Sequence, residues 1–246
     1  MTCHVVQFFG GIGSWAAAQR VVAEHGTRDV VLLFADTLVE DEDLYRFLDD
    51  AAEQIGVPVT RVADGRTPFE VFRQRRFLGN ARLAPCSDLL KQRPCRRWLE
   101  THTDLADTVL HIGIDWSEER RAPAVVRGWV PWTVSFPIRD SPHLTKEQML
   151  DAARAAGLEP PRLYALGFAH NNCGSLCVRG GQNHWAHVLE VFPERYAQAE
   201  HEEQRLRAEL GSVAMLRDRT GGLSRPLTLT EFRERQENRV PEPQKG

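Results

Sequence analysis

Apolar runs alternate with amphipathic segments along the first half of the chain. Four runs have the length and the β-branched content of buried strands, at residues 4–9, 29–36, 57–63 and 107–114. Apolar residues at helical spacing fill the segments between them, at 14–25, 42–55 and 86–102. We expect Pro94 to break or restart the third helix. Strands that alternate with helices predict an α/β fold, with a parallel sheet that carries helices on both faces.

The second half of the chain is dominated by helical patterns. Residues 145–158 begin with a Thr-x-x-Gln capping box and end at a glycine, and residues 193–210 begin with a proline suited to a first helical turn. A loop rich in asparagine and glycine covers 169–184. The pattern predicts three parts: an α/β nucleotide-binding domain at 1–140, a mostly helical part with a cysteine-containing loop at 141–238, and a disordered tail at 239–246.

Composition excludes several classes of protein. A net charge of −3 gives no support for bulk binding to nucleic acid or to a membrane surface. No apolar run approaches the ~18 residues that span a bilayer. The first apolar stretch has no basic region before it, so we expect no signal peptide and a cytoplasmic protein without a membrane partner. The five cysteines are then expected to be core residues, catalytic groups or metal ligands rather than disulfides.

The first strand ends in a glycine turn, Gly10-Gly11-Ile12-Gly13-Ser14, directly before a helix. Glycines let the backbone approach an anion closely, and the start of a helix adds its positive end. The turn lacks the lysine of the common phosphate loop, and Ser14 could either cap the helix or touch a phosphate. A plain tight turn between strand and helix explains the same residues equally well.

The second strand ends in Asp36-Thr37, which a parallel sheet places at the same edge as the glycine turn. The Asp36 carboxylate could hold a ribose hydroxyl or a magnesium ion. The alternative is that the Asp-Thr pair caps the following helix.

With these two motifs, "FFGGIGSWAAAQRV" and "LLFADTLVEDEDLYRFL", the sequence resembles the PP-loop adenine-nucleotide α-hydrolase superfamily, in its branch similar to phosphoadenosine phosphosulfate (PAPS) reductases. The resemblance implies a parallel sheet with helices on both faces and chemistry at the α-phosphate of ATP or of an adenylyl sulfate. By position it implies cofactor-binding roles for Phe9, Gly10, Gly11, Ile12, Gly13, Ser14, Phe34, Asp36 and Thr37. The family has a serine where this chain has Phe9 and an aspartate where it has Gly13, which puts cleavage of the nucleotide in question, but not its binding.

The cysteines form two separated groups, Cys86 with Cys95 and Cys173 with Cys177. Spacing of this kind suggests one metal site assembled in space, although C-x₃-C is a weaker signal than C-x₂-C. Thiolates at such spacings also hold iron–sulfur clusters. Cys95 lies among arginines and is as well explained by a surface or core thiol, and Cys3 on the first strand is read as a core residue.

The segments "LGNARLAPCSDLLKQ" and "LGFAHNNCGSLCVRGGQNHWAHVLEVFPERYAQAEHEE" look like a PAPS-reductase-like subgroup whose relatives include enzymes that insert sulfur into DNA. The resemblance implies a [4Fe–4S] cluster on Cys86, Cys173 and Cys177, with Cys95 as the candidate fourth ligand. Zinc, with His170 or His184 as an added ligand, is the alternative. The E-C-G-x-H motif of the reductases is not found, which weakens sulfate reduction.

Further candidates follow the fourth predicted strand and the basic segments. Gly113 and Arg120 lie in "GIDWSEERR", where an arginine could bind phosphate or sulfate, or simply belong to a charged turn. The basic run at 73–82 could contact tRNA or DNA, although such runs are usually solvated. Trp129 and Trp132 are expected to pack in the core, and the pair His184 and His187 is expected to be structural.

Three functions remain open at this stage. The first is an enzyme that adenylates an acceptor with Mg-ATP and couples this step to sulfur transfer, with a sulfur-donor protein or a nucleic acid as partner. The second is a PAPS or adenylyl-sulfate reductase. The third is a nucleotide- or cluster-binding subunit without catalysis. The pattern assigns no catalytic residue, and it leaves a homodimer open.

Overall fold

The computed structural model describes residues 2–238, and its central feature is a parallel sheet of five strands. The strands run in the order β3-β2-β1-β4-β5 across the sheet, and each pair of neighbours is parallel. Their bounds are β1 Cys3–Gln7, β2 Val30–Asp36, β3 Val59–Ala63, β4 Thr108–His111 and β5 Thr133–Ser135. The expectation of an α/β fold with a parallel sheet is confirmed, and β5 is a strand that the sequence pattern did not indicate.

Helices connect and cover the strands. In chain order they are α1 Ile12–His25, α2 Glu42–Ile55, α3 Pro68–Arg75, α4 Arg93–His102, α5 Ala122–Trp129, α6 Lys146–Ala155, α7 Arg162–Ala165, α8 Gln182–Val191, α9 Pro193–Leu210 and α10 Leu229–Glu237. The Thr145 capping box expected for α6 is present. A π-helical segment, Ser87–Gln92, runs directly into α4. Pro94 therefore stands where the π-helical segment changes to the α-helix.

The sheet is buried on both faces. Val6, Leu32 and Phe34 belong to one apolar cluster, which includes residues of α1 and α2. Val5 and Leu33 point the other way, into a second cluster with residues of α4. Successive residues of a strand point to opposite faces of the sheet, and here both faces are buried. Nearly every strand residue is therefore apolar, which gives the continuous apolar runs from which the strands were predicted.

The described residues divide into two compact units. Unit 1 contains the chain up to Arg66 together with Leu89–Ser175, and unit 2 contains Thr67–Asp88 together with the chain from Leu176 onward. Unit 1 holds the sheet, and unit 2 holds a two-stranded antiparallel hairpin of β6 Leu216–Asp218 and β7 Arg225–Leu227, which the helical pattern did not indicate. The expected boundary near residue 140 coincides with none of the three crossings between the units.

Within residues 2–238, no helix combines the length and the apolar character that crossing a bilayer requires. The tail expected to be disordered, 239–246, lies outside the described residues.

Candidate nucleotide site at the sheet edge

The loops after β1 and β4 leave neighbouring strands toward opposite faces of the sheet, because α1 packs on one face and Trp129 of α5 packs on the other. Such a divergence is the place where open α/β sheets bind ligands, beyond the carboxyl ends of the strands. The two loops approach each other very closely. A Cβ atom on Gly113 would stand 2.9 Å from the carbonyl oxygen of Gly13 and 3.1 Å from the backbone nitrogen of Ser14. The two predicted glycine positions therefore meet at one edge of the sheet.

Gly10 begins the glycine turn in a conformation that requires glycine. Its φ angle is +73°, and a Cβ there would stand 2.7 Å from Cγ of Leu44. The Gly10 carbonyl oxygen accepts a buried 2.8 Å hydrogen bond from Nδ2 of Asn171. Asn171, which the sequence did not single out, thus fastens the turn to the segment after α7.

The first turn of α1 is partly occupied by protein groups. The Ile12 N–H donates to the hydroxyl of Tyr164 at 3.1 Å, and the backbone N–H of Asn171 reaches the same hydroxyl. Burial raises the pKa of Tyr164, so the hydroxyl stays neutral. Ser14 donates its hydroxyl proton back to the Gly11 carbonyl at 2.7 Å, so Ser14 does not cap the helix. Any anion at this helix end would share the first turn with Tyr164.

Phe9, at the end of the first predicted strand, lies under a cation. The Nζ atom of Lys91 stands 5.5 Å from the centroid of the Phe9 ring, and it lies 3.4 Å from Oε1 of Glu40. The Lys91 side chain is largely buried, because it is 16% exposed. A positive charge therefore stands beside the glycine turn, although it comes from a different part of the chain than in the common phosphate loop.

The loop after β2 is held by its own side chains. Oδ1 of Asp36 accepts hydrogen bonds from the Leu38 N–H at 2.8 Å and from the Tyr45 hydroxyl at 2.9 Å. Burial, together with the hydrogen bond to Asp36, raises the pKa of Tyr45. Thr37 donates to Glu40 at 2.8 Å. The residue that caps α2 is Asp41 and not the Asp36-Thr37 pair, so the capping alternative for that pair is wrong.

Phe34 is part of the core and contributes no exposed surface at the edge. Its side chain is fully buried, and its ring meets the Tyr45 ring edge-on at 6.4 Å. The predicted role of Phe34 is therefore reduced to support of Tyr45, which in turn holds Asp36.

The segment from Arg162 to Ser175 packs on the loop after β2. Arg162 forms a two-point ion pair with the buried carboxylate of Asp41, at 2.8 and 2.9 Å. Further along, the Cys173 N–H donates to Glu40, whose side chain is only 1% exposed. A Cβ on Gly174 would stand 2.6 Å from the Val39 carbonyl oxygen. The backbone from Cys173 to Ser175 has positive φ angles throughout, of 49°, 56° and 73°, a strained conformation of the kind that concentrates at functional sites.

An aromatic pocket follows β4 at the same edge. The exposed Trp116 ring stacks on His143 with 5.6 Å between centroids, and its Nε1 donates to the Leu144 carbonyl at 3.2 Å. A cavity of about 440 Å³ is lined by Trp116, Glu119, Arg139, Asp140 and His143. Asp115 caps the short helical segment Trp116–Arg121, and Arg120 is exposed near its end. The composition of this pocket, an aromatic platform with charged groups, was missed because His143 lies far from Trp116 in sequence.

The predicted metal ligands fall in different surroundings. Cys95 is fully buried in the apolar cluster of α4, and burial raises the pKa of its thiol to about 12. This placement favours the core-thiol alternative for Cys95. Cys86, Cys173 and Cys177 are partly exposed; Cys173 belongs to unit 1, whereas Cys86 and Cys177 belong to unit 2.

A direct test of fit for a metal uses the donor groups. Among residues 2–238, no group of three or more His, Cys, Asp or Glu side chains is arranged so that it could hold a metal ion. The cluster and zinc expectations, including the roles of His170 and His184, stay predictions.

Two other expectations concern aromatic and basic residues. Trp129 and Trp132 are buried, as expected, and both lie under the guanidinium of Arg96 at 5.3 and 5.0 Å. In the basic run, Arg73 of α3 pairs with Glu202 of α9 at 2.9 Å within unit 2, and Arg76 donates to the Glu209 carbonyl. These two arginines therefore help to pack α3 on α9.

A scan against protein-family models finds no match to this chain, and a search of curated proteins finds none either.

Proposed function

We propose that this protein binds ATP or a related adenine nucleotide at the crevice between the glycine turn and Gly113, and that it transfers the adenylyl group to an acceptor. This is the function implied by the resemblance to the PAPS-reductase-like branch of the PP-loop superfamily. The observation that carries the proposal is the convergence of the Gly10–Ser14 turn and Gly113 at the point where β1 and β4 diverge.

The elements around the crevice suit the parts of a nucleotide. The positive end of α1 and the glycine backbone suit a phosphate, and the ammonium of Lys91, which also pairs with Glu40, stands beside Phe9. The Trp116–His143 stack offers a surface for a base. Asp36 is oriented by Leu38 and Tyr45, as a group that receives a ribose hydroxyl or a magnesium ion should be.

In the reaction, an acceptor oxygen attacks the α-phosphorus, and the bond from that phosphorus to the bridging oxygen of pyrophosphate breaks. Pyrophosphate leaves with the electron pair, and the acceptor carries AMP. A sulfur nucleophile from a donor protein can then displace AMP. The chain contributes by holding the nucleotide in line and by stabilising the charge that develops on the leaving pyrophosphate, a role that suits Lys91.

The test is equilibrium binding of ATP to the purified full chain and to three lysine variants. Lys91→Met should weaken ATP binding at least tenfold, because it removes a charge from a site of low exposure. Lys91→Arg should retain most of the affinity. Lys146→Met, on α6, is the matched control and should leave affinity unchanged. Absence of ATP binding by the wild-type protein would overturn the proposal.

A second set of assays separates the chemistry. Release of pyrophosphate from ATP when nucleic acid is added supports adenylation. Release of sulfite from PAPS with a thiol donor would replace it by the reductase function. Binding of ATP without either reaction would favour the third function, a nucleotide-binding subunit without catalysis. Iron and zinc analysis after anaerobic purification tests the predicted metal site independently of these three functions.

A further inference from the structure

A second concave surface lies beyond the carboxyl end of β3, on the side of α4. It encloses about 500 Å³ and is lined by Asp64, Arg66, Leu89, Arg93, Arg96 and Arg97. Four guanidinium groups and one carboxylate therefore surround a space that falls within the size range of small-molecule sites. We refer to it as the arginine pocket.

Helix α4 carries three of these arginines on one face. Arg93, Arg96 and Arg97 stand at positions i, i+3 and i+4, so their side chains are neighbours on the helix surface. Like charges at this spacing repel one another on a helix surface. An anion that binds among the guanidinium groups would offset this repulsion.

The walls of the arginine pocket are held in position. Arg96 donates to the carbonyl oxygens of Val130 at 3.2 Å and Gly128 at 2.6 Å, and its guanidinium lies over two buried tryptophan rings. Arg66 donates to Asp64, and the Arg97 guanidinium stands 3.7 Å from the second oxygen of the same carboxylate. Asp64 thus brings Arg66 from the loop after β3 and Arg97 from α4 together. The hydrogen bond from Arg66 lowers the pKa of Asp64, which keeps this carboxylate ionised.

The arginine pocket is separate from the crevice at the glycine turn. None of the residues that line the pocket belongs to the glycine turn, although Leu89 of the pocket and Lys91 beside Phe9 lie on the same helical segment. The inference below therefore stands whether or not the crevice binds a nucleotide.

We propose that the arginine pocket binds the phosphate group of a small phosphorylated ligand, either free pyrophosphate or a phosphomonoester. Guanidinium groups match the oxygen geometry of phosphate by paired hydrogen bonds, which a cluster of lysines would not do as specifically. A concave site fits a small ligand, whereas an extended nucleic-acid backbone would call for a stripe of charge along the surface.

The experiment is calorimetric titration of the purified full chain with inorganic pyrophosphate, inorganic phosphate and AMP, each alone. We expect binding of pyrophosphate that weakens at least tenfold in the double variant Arg93→Gln/Arg97→Gln and that weakens with added salt. The control is Arg154→Gln, which removes an exposed arginine paired with Asp151 on α6 and should leave binding unchanged. Lys91→Met is titrated in parallel, because pyrophosphate bound at the glycine turn would weaken in this variant and not in the double variant. Loss of pyrophosphate binding in Lys91→Met alone would overturn the proposal. If AMP binds more strongly than pyrophosphate and phosphate, the ligand of the pocket is a phosphomonoester. If pyrophosphate binds more strongly than AMP, the ligand is the free anion.

Folding of the variants is checked by thermal unfolding at low salt without added anion. The double variant should remain folded with a cooperative transition, because the buried residues of α4, Cys95 and Leu99, are unchanged. If it does not fold, Arg97→Gln alone, whose side chain is 64% exposed in the native protein, should still weaken pyrophosphate binding about threefold or more.

Two further results would overturn the proposal. One is binding of pyrophosphate, phosphate and AMP that is undetectable at millimolar concentration or identical in the wild-type and variant proteins. The other is binding of single-stranded nucleic acid that the double variant loses and that pyrophosphate does not compete with, which would assign these arginines to a nucleic-acid surface instead.

Discussion

Gly113 and Gly13 are separated by almost the whole of the sheet domain in sequence, yet their backbones are in contact at its edge. A Cβ on Gly113 would stand 2.9 Å from the Gly13 carbonyl oxygen, and both groups are backbone or Cβ atoms that cannot rotate away. The loop after β4 can therefore approach the glycine turn only because position 113 has no side chain.

Gly113→Ala should consequently destabilise the protein by roughly 1–3 kcal/mol, the usual cost of overpacking, and should weaken ATP binding by displacing the turn. The control is Gly128→Ala in α5, where an added Cβ meets no atom within 4 Å. That variant should be neutral or slightly stabilising, because alanine favours a helix over glycine. Denaturant unfolding and ATP titration measure the two effects, and equal stability of the two variants would contradict the close contact.

Phe9 and Gly13 can be exchanged for the serine and the aspartate that the proposed function calls for. In Gly13→Asp, the new Cβ would lie at ordinary contact distances, 3.5 Å from the Gly113 carbonyl oxygen and 3.6 Å from Cδ1 of Ile138. Phe9→Ser would expose the ammonium of Lys91 to the turn. If catalysis was lost with these residues, Phe9→Ser/Gly13→Asp should raise pyrophosphate release from ATP above the wild-type rate. An unchanged rate in a folded double variant would argue that these positions do not limit turnover.

The burial of Cys95 separates it from the other candidate ligands. A thiol with a pKa of about 12 in an apolar cluster should react with a maleimide far more slowly than the thiols of Cys86, Cys173 and Cys177. Cys95→Ala should cost about 1 kcal/mol of stability through the cavity that it leaves, and it should retain any bound iron or zinc. Loss of metal in Cys95→Ala, with retention in Cys173→Ala, would restore Cys95 as a ligand.

Three histidine rings stack on one another on one face of the sheet and should make stability sensitive to acid. Nδ1 of His4 lies 2.9 Å from Nε2 of His111, and the His4 ring stacks on His25 with 3.8 Å between centroids. Burial, assisted by repulsion from the other two histidines, lowers the pKa of His111 from 6.5 to about 4, and burial lowers the pKa of His4 as well.

A histidine whose pKa is lowered by folding stabilises the native state above pH 6.5 and loses this contribution as the pH falls toward about 4. The change should amount to about 3 kcal/mol at most for the nearly buried His111. His111→Leu should therefore flatten the fall of the melting temperature across this pH range, whereas His201→Gln, an exposed residue on α9, should leave the slope as it is. Parallel slopes in the wild-type protein and His111→Leu would exclude the histidine stack as the cause.

Unit 2 depends on a buried carboxylate. Glu203 of α9 has no exposed surface and accepts the backbone N–H groups of Met215 at 2.8 Å and Leu229 at 2.6 Å. Glu203→Ala would leave both donors without this acceptor and should destabilise unit 2 by about 3 kcal/mol. Glu234→Ala, on the exposed side of α10, is the control and should change stability little. Hydrogen exchange at residues 215 and 229 would show whether the loss is local, and unaltered protection there would count against the role given to Glu203.

The elements of the sheet follow from the sequence to a large extent. The apolar runs of β1 to β4 and the helical spacing of α1 and α2 indicate their structure locally, because each run must be buried on both sides of a parallel sheet. The strand β5 has three residues and the hairpin of unit 2 is equally short. Such segments have too few positions for a periodic pattern, and their pairing partners decide their conformation.

For the candidate site, the sequence by itself determined the glycine turn, the Asp36-Thr37 motif and the position of Gly113 at one sheet edge, because strand ends in a parallel sheet share an edge. Only the tertiary structure decided what surrounds them. Lys91 beside Phe9, Tyr164 at the start of α1 and the arginine pocket are formed by residues distant in sequence. Their proximity depends on how helices and loops pack on the sheet, and no local pattern of residues encodes that packing.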